Sequence, residues 1–272
     1  MTTTATSITR TINVTEVGPV GLTVEVRGDG QPFLVLHGGA GPQSVAAFAD
    51  LLAEQGFRVL APIHPGFGGS PRPAKLDSVA ALAALYHGLL DDLGLEAVTV
   101  IGNSVGGWVA AEMAVLSSPR ISRLVLLDAV GIEPEGHHVA DVSGLSVPEI
   151  QALSFHDPTS FRVDPTALPD AQKAVLAGNA AALAIYAGSP AMADPTLIDR
   201  LGRISIPTLV LWGDSDRIVE PAYGRAYAAA IPRAEFQVLP ATGHMPQMET
   251  PGLVLEAIRD WGLSPHKGSV TA

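Results

Sequence analysis

A chain of 272 residues, 47% hydrophobic and 16% charged, is long enough for one large domain or a domain carrying an insertion, and its composition is that of a packed core, not a disordered segment. Its net charge of −11 is spread along the chain without any Lys/Arg cluster, so a phosphate-backbone partner would meet repulsion and no nucleic-acid binding is expected. Cysteine is absent, which excludes disulfides, thiolate nucleophiles and cysteine-held metals.

The opening stretch MTTTATSITRTINV has neither the basic start nor the apolar core of a secretory signal, and every apolar run is too short to span a bilayer. A cytoplasmic protein without a membrane partner is expected. Polar and apolar residues alternate in TINVTEV (11–17) and LTVEVRG (22–28), which predicts an antiparallel hairpin. PFLVLH (32–37) and RVLAP (58–62) follow as short apolar strands, the first running into LHGGAG (36–41) and the second into PIHPGFGGSPRP (62–73). Val79, Leu82, Leu85, Leu89 and Leu93 recur at helical spacing. AVTVIG (97–102), RLVLLD (123–128), PTLVLWG (207–213) and EFQVLP (235–240) have the length and residue types of strands buried on both faces, and Val254, Ile258 and Trp261 mark a last helix. Such alternation predicts an α/β doubly wound, mostly parallel sheet with its ligand site at the carboxyl ends of the strands.

Between 131 and 203 the pattern breaks: VPEIQALSF and DAQKAVLAGNAAALAIYAG read as helices, and no buried strand intervenes. The expected organisation is a core formed by residues 1–130 and 204–272, interrupted by a helical lid at 131–203 that packs over the strand ends. The tail SPHKGSVTA reads as frayed.

Gly102-Asn103-Ser104-Val105-Gly106 fits G-x-S-x-G, with a strand before it and the helical stretch VGGWVAAEMAVL after it. A strand that turns straight into a helix strains its middle residue, and glycines two positions to either side remove side chains that would collide there. Ser104 is thereby raised above the sheet, near a helix N-terminus where the Val105 N–H is free to face developing negative charge. The competing reading makes Ser104 an ordinary helix cap.

With strand, motif and helix together, the sequence from Leu22 to Trp261 resembles the α/β-hydrolase superfamily. LHGGAG is similar to that family's oxyanion loop, which implies the Gly39 N–H as second donor and His37 as a packed supporter. PIHPGFGGSPRP resembles the turn usually written D-x-P-G-x-G-x-S, except that His64 stands where aspartate is common. Of the 8 histidines, His244 in ATGHMPQMETP resembles the late glycine-histidine loop and is implied as the general base. His87 and His266 read as solvated, and His137, His138 and His156 lie in the lid segment. Asp128, Asp214 and Asp216 all end strands. The family's usual spacing after the glycine implies Asp216 as the triad acid and Asp214 as a turn residue, with Asp128 as rival because some members carry the acid one strand earlier.

These parts suit acyl transfer through a tetrahedral intermediate and an acyl-enzyme, so hydrolysis of a small carboxylic ester, thioester or lactone is the leading expectation. Neither a metal-ligand cluster nor a dinucleotide fingerprint is present, so no metal and no cofactor is expected. GNSVGG is also similar to the elbow of C–C hydrolases that act on vinylogous diketones, for which Arg162 is a lid residue able to hold a carboxylate. A non-turnover ligand receptor of the same fold is the alternative outside enzymes. Oligomeric state is left open.

Overall fold

A computed structural model describes residues 4–161, 163–164, 166–188 and 192–263. Arg162 and His266 lie outside the described residues. Two antiparallel strands, β1 (Thr6–Val14) and β2 (Gly18–Arg27), lead in. They are followed by β3 (Pro32–Leu36), α1 (Gln43–Glu54), β4 (Arg58–Pro62), α2 (Val79–Asp92), β5 (Val98–Asn103), α3 (Val105–Val115) and β6 (Ile121–Leu127). The stretch after β6 supplies α4 (Val147–Ser154), α5 (Asp170–Ala187) and the single turn α6 (Leu197–Arg200). The chain then returns to the sheet with β7 (Thr208–Gly213), α7 (Pro221–Ala229), β8 (Ala234–Leu239), α8 (Pro246–Glu249) and α9 (Pro251–Asp260).

Among the described residues the sheet runs β1-β2-β4-β3-β5-β6-β7-β8, and β3 to β8 pair in parallel. This is the α/β-hydrolase fold. Successive side chains on a strand point to opposite faces, and the apolar runs are sorted accordingly. Leu34, Leu36, Val100, Leu124, Leu126, Val210 and Trp212 pack with α2, α3 and α7. Phe33, Val35, Val59, Ile101, Val125, Leu127, Leu209 and Leu211 pack with α1 and α9 on the other face. Covering both faces removes any need for polar alternation, which is why these strands read as unbroken apolar runs.

Two expectations shift in detail. Thr15, Glu16 and Val17 form the hairpin turn instead of extending the first strand, because the backbone turns left-handed at Glu16 (φ 65°). β8 is not buried on both faces: it is the sheet edge, and Glu235 and Gln237 alternate outward against half-buried Phe236 and Val238.

In α2, the Ser78 hydroxyl accepts from the Ala81 N–H at 3.2 Å and caps the start, while Val79, Leu82, Leu85 and Leu89 face inward. α3 is buried along its whole length, as an alanine-rich helix beneath the sheet centre must be. Its one charge, Glu112, receives both Nη atoms of Arg200 at 2.6 Å, and Arg200 also reaches Asp194 at 2.7 Å. A charge this buried requires its partner. Arg200→Ala is therefore expected to cost about 3 kcal/mol in urea unfolding, by leaving Glu112 uncompensated; a loss below about 1 kcal/mol would show the pair to be idle. No helix among the described residues is long and apolar enough to cross a membrane.

Candidate active site

β5 ends at Asn103, and α3 begins at Val105, so a single residue makes the turn. Ser104 sits there at φ 56° and ψ −123°, a conformation that side-chain-bearing residues rarely adopt. The glycines on either side are required by contact: a Cβ on Gly102 would lie 2.2 Å from the Gly106 carbonyl oxygen, and one on Gly106 would lie 2.3 Å from the Leu36 carbonyl oxygen. The Ser104 N–H donates to the Leu127 carbonyl at 3.0 Å, tying the turn to β6. Its hydroxyl does not cap α3. It lies 2.9 Å from His244 Nε2 instead.

His244 follows β8 and is 5% exposed. Its Nδ1 is 2.8 Å from Asp216 Oδ2, and the other oxygen, Oδ1, accepts from the Ile218 and Val219 N–H groups at 2.8 and 3.0 Å. With Nδ1 facing a carboxylate, the imidazole carries its proton there, which leaves the Nε2 lone pair toward Ser104. Asp214 turns away from this group and accepts from the Ala241 and Thr242 N–H groups at 3.1 and 3.3 Å. Asp128 is fully buried beside Asp216, with its Oδ1 accepting from the Gly213 N–H at 2.9 Å.

The LHGGAG loop closes on the serine. A Cβ on Gly38 would lie 3.0 Å from Ser104 Cβ, and one on Gly39 would lie 2.7 Å from Leu183 Cδ2 of α5. Val105 opens α3, where a backbone N–H has no acceptor within the helix. The 131–203 segment reaches these loops at two further points: Asn179 Oδ1 accepts from the Gly68 N–H at 2.8 Å, and the Tyr186 hydroxyl donates to the Pro65 carbonyl at 2.9 Å. It also holds the histidine loop. The Ser154 carbonyl accepts from the His244 N–H at 2.7 Å, and the Glu249 carboxylate accepts from the N–H groups of Gly243, His156 and Asp157 at 2.6, 3.2 and 2.9 Å.

His64, the departure from the usual aspartate, has a defined place. Its Nε2 lies 2.9 Å from the His37 carbonyl and so must donate, which leaves Nδ1 to accept from the Tyr86 hydroxyl. The His64 N–H donates to His37 Nε2 at 3.1 Å, and His37 Nδ1 donates to the Gly38 carbonyl at 2.8 Å. Every polar atom is matched with both rings neutral, and the backbone leading to Gly39 is fixed by the chain of bonds. Burial holds His37 down at about 4 and His64 well below the ordinary histidine range.

Because these depressed groups bind protons only after unfolding, their contribution is complete above the unfolded pKa near 6.5 and is lost as pH falls toward the folded values. For His37 alone the span amounts to about 3 kcal/mol. The urea midpoint is expected to be lower at pH 5 than at pH 7.5; equal midpoints would contradict the neutral pair.

His87, read as solvated, is half-buried, and its Nε2 lies 2.9 Å from the Met113 carbonyl. The sequence reading missed Asn103, which donates to the His244 carbonyl at 2.9 Å, and Gln247, which donates to Asn103 Oδ1 at 3.1 Å. Asn103 lies inside the recognised motif, and that position was its one available signal.

A family model described as "Alpha/beta hydrolase family" matches residues 33–257. The 2-hydroxy-6-oxononadienedioate/2-hydroxy-6-oxononatrienedioate hydrolase of Cupriavidus pinatubonensis is 31% identical over 235 residues, 79% of this chain and 81% of that protein. Lipase 3 of a Moraxella species is 29% identical over 236 residues, 81% of this chain and 73% of that protein. A thermophilic esterase from Thermogutta terrifontis, solved with malate bound, superposes with a TM-score of 0.75 at 30% identity, over 93% of this chain and 97% of that one.

Proposed function

The chain belongs to the alpha/beta hydrolase family and is a hydrolase of that fold, and from that premise we propose that it is a serine hydrolase cleaving a small carboxylic ester, thioester or lactone through an acyl-enzyme. The observation that carries this reading is the continuous line from Ser104 Oγ through His244 to Asp216, at 2.9 and 2.8 Å. His244 Nε2 takes the Ser104 proton as Oγ attacks the carbonyl carbon, and Asp216 steadies the imidazolium that results. The Val105 and Gly39 N–H groups receive the oxyanion. His244 returns its proton to the leaving alkoxide, thiolate or ring oxygen. Water, activated by the same histidine, then frees the acid and restores Ser104.

The helical segment 131–203 acts as a lid. Ser104 is 6% exposed with α5 against the oxyanion loop, so α5 bounds the space for the acyl group, and Leu183 over Gly39 favours a modest apolar one.

A second reading, C–C bond hydrolysis of a vinylogous diketone, has support in the Cupriavidus relative, whose name states a hydrolase of a dienedioate. The same serine, histidine and donors would serve it. One experiment bears on both. Rapid mixing with a p-nitrophenyl acyl ester is expected to give a burst of p-nitrophenol and an acyl mass increase on Ser104. A dienedioate substrate turned over faster than any ester in a chain-length series would favour the second reading, and a chain that binds these compounds without a burst or turnover would defeat both.

A further inference from the structure

Asp128 is a buried carboxyl that the proposed reaction does not use. It follows β6 with its backbone in the left-handed region (φ 44°), a conformation aspartate tolerates better than most residues, and it has no exposed surface. One oxygen, Oδ1, accepts from the Gly213 N–H at 2.9 Å; the other, Oδ2, is buried and receives no hydrogen bond from any donor among the described residues. Ligating atoms of Asp128, Asp216 and His244 all lie within 4.8 Å of one another. Two adjacent buried carboxylates, one with an oxygen that no donor reaches, would repel each other and be strongly unfavourable. Asp216 is well provided for: Oδ1 holds two backbone N–H groups and Oδ2 faces His244. A carboxylate has about four acceptor sites, so it retains room for one more donor.

We propose that Asp128 Oδ2 carries a proton and donates it to the Asp216 carboxylate, making Asp128 a positioning residue that acts through the acid of the site. The inference rests on Asp216 being that acid. Burial, and then the charge of Asp216, push the Asp128 carboxyl well above the usual carboxylate range; the Glu249 charge acts in the same direction, and the Gly213 N–H opposes them. His244, which lies within reach, is already bonded to Asp216. The shared proton matches the bare oxygen and locks the Asp216 rotamer, so that Oδ2 stays on the His244 side while Oδ1 stays on residues 218 and 219.

Infrared difference spectroscopy of the intact protein at pH 8 tests this directly. A protonated-carboxyl C=O band is expected in the unsubstituted protein and in Ser104→Ala, and is expected to vanish in Asp128→Asn. Asp128→Ala is expected to lower kcat by between about 10- and 100-fold with little change in KM, and Asp128→Asn to recover most of that loss, because its amide donates to Asp216 and its oxygen still accepts from Gly213. The acid limb of kcat/KM is expected to coincide in Asp128→Asn and the unsubstituted protein. Absence of the band would overturn the proposal, as would an acid limb displaced to lower pH by about one unit in Asp128→Asn, the sign of an anion having been removed. Activity lost on dialysis against a chelator, with no band present, would replace the proton by a divalent cation. Since the band needs no turnover, it still reports on Asp128 if Ser104 proves not to be the nucleophile.

Discussion

Ser104→Ala is expected to lower kcat on a p-nitrophenyl ester by at least about 10⁴-fold, leaving only what the oxyanion donors and binding supply. The substitution removes the hydroxyl proposed as the nucleophile while leaving the strained backbone, the glycine contacts and the neighbouring N–H groups in place. Unfolding free energy is expected to change by no more than about 1 kcal/mol, the worth of one hydrogen bond to His244. Acyl labelling and turnover should therefore disappear together while the urea midpoint stays. Retention of more than a hundredth of the activity, or an acyl group on another side chain, would show that the elbow serine is not the nucleophile.

Asp216→Asn is expected to cost about 10⁴-fold in kcat with the fold intact. The carboxylate serves two clients on opposite sides: Oδ1 accepts from the residue 218 and 219 N–H groups, and Oδ2 accepts from His244 Nδ1. An asparagine must keep its oxygen on the two backbone donors, which places its NH2 against Nδ1. The imidazole is then driven into the opposite tautomer, with Nε2–H aimed at Ser104 Oγ and no lone pair to take the serine proton. Measured beside Asp128→Asn, this variant separates the two carboxyls. A loss confined to Asp128→Asn would move the triad acid to the end of β6.

The contrast between these aspartates marks where sequence reading stopped. Both follow adjacent parallel strands, so both are delivered to the same edge of the sheet, and only the partition of backbone N–H groups distinguishes the one that faces His244. Ser104 was more legible because its constraints are local: a strand, a helix and glycines within two positions. His64 was visible as a departure without a meaning, since its partners His37 and Tyr86 are 27 and 22 residues away in the chain. The central strands were legible because burial on both faces makes them uniformly apolar, whereas β8 at the edge has an exposed face. α7 offered no such cue. Its Gly224 weakens helical propensity, and the residue is small because the Trp212 ring lies where a Cβ would stand, 2.4 Å away.

The backbone bonds from Ser154, His156 and Asp157 to the histidine loop bear on any chimaera that imports another member's lid to change substrate preference. Those residues belong to the 131–203 segment by position and to the loop that carries His244 by contact. A splice that begins after Asp157 and ends before Asp194 exchanges α5, the helix above the LHGGAG loop, while keeping the abutments on which His244 and Glu112 lean. A transplant cut at the outer borders of the segment would discard both abutments, and its failure would then say nothing about the new pocket.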